Sequence, residues 1–143
     1  MTWTQIASEF AWDGSWRDIY IVGSTIDDWQ RILDALLDHS PPPLLYIDGA
    51  AAPFPPNAKA IFEQRRVSSP LLQVAAGNVV LNCHFFDDEE VEFDLDPREV
   101  RDEEDLRAIT DFMSRMANAT GKATVLTHEN TKSAVILTMS PRT

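Results

Sequence analysis

A chain of 143 residues with a formal net charge of −11 and a pI of about 4.5 fits a single domain, 1–143, large enough to fold on a hydrophobic core without disulfide or metal. The acidity disfavours nucleic acid and anionic membranes, because affinity for either rests on clustered Lys and Arg, and the one adjacent basic pair is Arg65-Arg66. No apolar run approaches the roughly 20 residues that a membrane span needs, and Met1-Thr2-Trp3-Thr4-Gln5 lacks the basic start and apolar core of a signal peptide, so a cytoplasmic protein is expected.

The four tryptophans, Trp3, Trp12, Trp16 and Trp29, all fall in the first 29 residues. The first 15 residues read either as irregular chain or as an opening helix with Ile6 and Phe10 inward. Trp12 and Trp16 flank a turn at Asp13-Gly14-Ser15 and are placed in the core, as large aromatics usually are; an interface role is the alternative. The first strong strand is Arg17 to Val22. Ser24 or Thr25 then caps a helix from Ile26 to Asp38, with Asp27 and Asp28 in its first turn, where the helix dipole favours negative charge. Ile26, Trp29, Ile32, Leu33, Leu36 and Leu37 share one face of it. Pro41-Pro42-Pro43 stops the helix, Leu44 to Ile47 is a short strand, and Asp48-Gly49 a turn.

A second proline cluster, Pro53-Phe54-Pro55-Pro56, precedes a short helix over Asn57 to Arg66. Leu71 to Ala75 and Val79 to Phe86 form a hairpin about Gly77-Asn78, glycine supplying the positive φ of the turn. Cys83, the single cysteine, sits in an apolar run and reads as a buried thiol. Asp87 to Glu89 turns the chain into an acidic strand, Glu90 to Leu95, which Asp96-Pro97 ends. Asp102 caps the longest helix, Glu103 to Ala119, whose core stripe is Leu106, Ile109, Met113, Met116 and Ala117, and Gly121 terminates it. Ala123 to His128 and Ser133 to Met139 close the chain as a hairpin. The order β-α-β-α-β-β-β-α-β-β, with its consecutive hairpins, predicts an α+β fold: a mainly antiparallel sheet with about three helices packed on it.

Asp87 to Asp105 carries 12 of the 23 carboxylates against two arginines, Arg98 and Arg101. Within it Val91, Phe93 and Leu95 alternate with Glu90, Glu92, Asp94 and Asp96, the period of a strand with one apolar and one acidic face. Like charges in alternate positions repel, so a cation from elsewhere in the fold, a metal or a partner is expected to offset them; a merely solvated face is the plain alternative. The hairpin neighbour puts Val80, Asn82, His84 and Phe86 on one face, so Asn82 and His84 are expected beside Glu92, Asp94 or Asp96.

Catalytic and metal signatures are weak. Asp94-Leu95-Asp96-Pro97-Arg98-Glu99 has no glycine where a calcium loop turns. Cys83 and His84 point to opposite strand faces, and His39 and His128 are isolated, so no zinc set forms. Gly-x-Ser-x-Gly and phosphate-loop patterns are lacking. No enzyme, metal or cofactor is expected. The remaining catalytic reading pairs His84 with Asp94 or Glu92 as acid and base.

Leu81-Asn82-Cys83-His84-Phe85-Phe86, Glu92-Phe93-Asp94-Leu95-Asp96-Pro97-Arg98-Glu99-Val100 and Thr120-Gly121-Lys122 with Thr127-His128-Glu129-Asn130 together resemble the C-terminal half of a bacterial immunity protein. The resemblance is one of style, and it carries over no residue roles. It implies an acidic protein that neutralises a cognate basic toxin by direct binding and occlusion. The partner-binding residues expected here are Glu90, Glu92, Asp94 and Asp96 on the strand, Asp102 to Asp105 (Glu103 among them) extending the patch, and Phe86 and His84 beside it. A third reading is a subunit of a homo-oligomer with the alternating strand at its interface.

Overall fold

The computed structural model describes residues 2–55 and 57–142, so Pro56 of the second proline cluster lies outside the described residues. Eight strands form one sheet in the order β3-β2-β4-β5-β6-β1-β7-β8, and every neighbouring pair is antiparallel. The strands are β1 (Arg17–Ile21), β2 (Leu44–Ile47), β3 (Ala50–Ala52), β4 (Pro70–Ala76), β5 (Val79–Cys83), β6 (Glu92–Leu95), β7 (Thr124–His128) and β8 (Thr131–Met139). The helices are α1 (Trp3–Ile6), α2 (Ile26–Leu36), α3 (Ala58–Arg65) and α4 (Glu103–Thr120). The α+β class and the antiparallel sheet agree with the reading from sequence.

That reading missed β3, and it carried the opening helix, with Ile6 and Phe10 inward, as an alternative outside its element order; both side chains are buried. One turn of helix, α1, opens the chain and runs into a 3-10 segment, Ala7–Phe10. Strand β3 follows the Asp48-Gly49 turn, where both residues take positive φ (48° and 84°), the geometry of a two-residue hairpin. Three alanines gave no alternation by which to see it. Strand β5 is also shorter than expected: it stops at Cys83 because Phe85 adopts φ 56°, which no regular strand accommodates.

Alternation along the strands divides the sheet cleanly. On one face Ile19, Leu72, Val74, Leu81, Cys83, Phe93, Leu95 and Leu126 join residues of all four helices in a single buried cluster. Phe93 meets Phe112 of α4 edge-on, with centroids 5.2 Å apart. Trp29 of α2 packs on Phe62 and Phe85 and donates its indole N–H to the Asp87 carbonyl at 3.0 Å, as a buried indole must. Helix α2 starts as expected at Thr25, and helix α4 starts at Asp102, whose carboxylate accepts the Asp105 amide. Helix α4 stops at Gly121, φ 70°. Ile26 and Leu37 of the predicted α2 stripe are exposed.

Trp12 corrects the expectation of a core residue. It is 47% exposed, and the Arg98 guanidinium lies 3.8 Å from its ring centroid. The segment between the 3-10 turn and β1 wraps instead around Arg17, which is buried. The Arg17 guanidinium donates to the carbonyls of Glu9, Ala11, Ser15 and Trp16 at 2.9–3.1 Å.

Candidate functional site: the acidic open face of the sheet

No helix of the described residues covers the opposite face of the sheet. Registers align one polar row across five strands there: Gln73 of β4 faces Asn82 of β5, Asn82 faces Asp94 of β6, Asp94 faces Asp18 of β1, and Asp18 faces Thr127 of β7. The adjacent row holds Glu92, Tyr20 and Val125. Two aspartates thus sit directly opposite one another in the middle of the sheet, a pairing that costs stability unless something compensates it.

The compensation is partial. Asp18 is 2% exposed; its Oδ2 accepts the Tyr20 hydroxyl at 3.0 Å and the Asn130 amide at 2.8 Å. Asp94 Oδ2 lies 3.7 Å from His84 Nε2, while Asp94 Oδ1 is buried with no hydrogen-bond partner. Among the described residues, no lysine or arginine pairs with Asp18, Glu92 or Asp94; the ion pairs of Lys and Arg use Asp13, Asp28, Glu90, Asp96 and Asp105. Burial, and after it the neighbouring Asp18 and Glu90 charges, push the Glu92 carboxyl up to about 7. Burial likewise raises Asp94 against the opposing pull of His84 and Asn82, and raises Asp18 against its two hydrogen bonds. The half-buried Glu92 and Asp94 carboxylates would be stabilised by a cation placed over them.

The expected residues separate into two groups. Asp94 and His84 come together as expected, with Asn82 opposite Asp94, while Glu92 lies two residues along β6 beside Tyr20 of β1. Phe86 is exposed and stacks on His84, centroids 5.0 Å apart. Glu90 is at the end of the row, its Oε2 bound by Lys132 at 2.8 Å. The others are committed elsewhere. Asp96 caps the 3-10 turn Pro97–Glu99 and holds Arg98 by paired hydrogen bonds of 2.9 and 3.0 Å, which lower its carboxyl. Asp102 caps α4, and Glu103 accepts the Trp3 amide at 2.7 Å.

Asp18, Tyr20, Glu129 and Trp16 were not foreseen in the site. Trp16, Glu129, Asn82, His84, Asp94 and Leu71 line one open depression of about 400 Å³. Alternation in Arg17 to Val22 already placed Asp18 and Tyr20 on one face; what sequence did not show is that β1 inserts between β6 and β7. Among the described residues no group of three or more His, Cys, Asp or Glu side chains is arranged to hold a metal ion, and no helix is long and apolar enough to cross a membrane. No family model, no curated protein and no solved structure matches this chain.

Proposed function

We propose that this protein is a binding module whose open sheet face receives a basic protein, in the manner of an immunity protein that neutralises a toxin by occluding its cationic surface. The observation that carries the reading is the pair Glu92 and Asp94, half-buried on β6 beside the fully buried Asp18 of β1, with no lysine or arginine of the described residues paired to any of the three. A fold that only needed solubility would leave such carboxylates in water, where they cost nothing. A partner's lysine or arginine over Glu92 and Asp94 would relieve the mutual repulsion. The net charge of −11 adds long-range steering of a basic partner.

The test is capture from the source lysate at low salt, with wild type beside a Glu92→Gln, Asp94→Asn variant. The expected result is a basic protein retained by wild type, largely lost from the variant, and whose own activity is abolished by stoichiometric wild type. Retention that is equal for the two forms, or indifferent to salt, sinks the reading.

A second reading, a small enzyme using His84 and Asp94 as acid and base, rests on their 3.7 Å approach in the depression. Binding is preferred because His84 is 38% exposed, whereas acid–base catalysis gains from a site that excludes water.

A further inference from the structure

A groove of about 370 Å³ lies beside the acidic rows, between the end of β1, the Glu89-Glu90 turn, β7 and β8. Tyr20, Val22, Val125 and Val135 supply its apolar walls. Val22 and Val135 are 55% and 52% exposed, so the groove shows aliphatic surface directly against carboxylates. Glu89 and Glu90 form one rim, and Glu92 stands next to Tyr20 in the register. Among the described residues, the one cation lining the groove is Lys132, bound to Glu90 at 2.8 Å, with its Nζ 5.1 Å from the Tyr20 ring centroid. An ammonium is thus already seated over the aromatic ring and against a carboxylate, on a side chain that is itself largely in solvent.

We propose that this groove takes an aliphatic side chain flanked by lysine or arginine on the basic partner, with Val22, Val125 and Val135 closing on the aliphatic group and Glu90 exchanging Lys132 for the partner's cation. The inference rests on the binding reading above and specifies the motif that reading would recognise. Charge complementarity selects this occupant. A second copy would bring another chain of net charge −11 against the same acidic rim, and an acidic or neutral segment would gain nothing from Glu89, Glu90 and Glu92.

The experiment titrates the nitrogen-15-labelled full chain with two amidated basic peptides that differ only in carrying leucine or glycine between two arginines. The leucine peptide is expected to bind about tenfold tighter, as burial of one aliphatic side chain predicts, and to shift the amides of Val22, Val125 and Val135. Val135→Ser alters a side chain already half in water, so the fold should survive, and the leucine advantage should vanish while glycine-peptide binding stays. Equal, salt-dependent binding of both peptides overturns the groove and leaves the acidic-face reading standing. Absence of salt-dependent binding by either overturns both. Shifts of the same amides on simple dilution would seat a second copy in the groove and overturn the proposal in favour of self-association.

Discussion

Glu92 is held near neutrality by its surroundings rather than by its own chemistry. Burial dominates, and Asp18 and Glu90 add repulsion, so its carboxyl titrates at about 7 in the folded chain, against about 4.5 when unfolded. A carboxylate whose folded value is raised binds more protons folded than unfolded between those limits, so its contribution to stability falls as pH rises through that window. Asp18 and Asp94 shift in the same direction and deepen the trend. Wild type is therefore expected to lose about 1–2 kcal/mol of unfolding free energy between about pH 4.5 and about pH 8, a figure discounted because Glu92 is only partly buried. Glu92→Gln should flatten this slope and leave the protein more stable than wild type at the upper end. Urea unfolding at several pH values reads it, and a wild-type stability that rises over the window would contradict the assignment. The acidic strand itself was plain in the alternation of Glu92 and Asp94 with Phe93 and Leu95. The raised titration was not, because it depends on Asp18, which lies more than seventy residues away in the chain and reaches Asp94 only through the β1–β6 register.

At the scale of elements, caps and turns were well marked by local chemistry. Thr25 accepts the Asp28 amide and Asp28 Oδ2 accepts the Thr25 amide at 2.9 Å, a reciprocal capping box. Asp28 does more than cap: it is fully buried and binds Lys122, from the turn after α4, and Arg31. Burial pushes its carboxyl up, but the Lys122 hydrogen bond and charge, with the Thr25 bonds, outweigh this and lower it overall. Its stabilising contribution is thus present above its ordinary value and lost as pH falls through the lowered one. Asp28→Ala should cost about 1–2 kcal/mol, since it removes the reciprocal half of the capping box and the Lys122 ion pair, while Lys122 keeps the Gly23 carbonyl. Lys122→Met should cost less, because Arg31 and the Thr25 groups still satisfy the carboxylate. Denaturant midpoints of the two variants check the order; equal costs would mean that the ion pair, which both variants break, and not the cap, which Lys122→Met leaves intact, carries the effect. Elements set by long-range contacts were harder to read. Helix α1 is a single turn that is marginal by itself; it is fixed by Glu103 on the Trp3 amide and by burial of Ile6, neither of which is local.

For the molecule as a whole, one face of the sheet carries the core and the other carries the charge. The helix-covered face is apolar, whereas the other face holds Asp18, Glu92 and Asp94 with no lysine or arginine of the described residues paired to them. Salt should therefore act in opposite senses on the free protein and on a complex. Raising ionic strength from about 0.01 M to about 1 M shortens the Debye length from about 30 Å to about 3 Å, which screens self-repulsion and should raise the thermal midpoint of the free chain by a few degrees, equivalent to about 1 kcal/mol. The Glu92→Gln, Asp94→Asn variant should start higher at low salt and respond less. Association with a basic partner should weaken over the same range, because the same screening removes the attraction. Calorimetry of both forms across salt, alongside partner association rates, distinguishes this from general salting effects, which would shift both forms equally. If the variant responds to salt as wild type does, the repulsion is spread over the whole surface of the chain, and the open face has no special claim to be where a cationic partner binds.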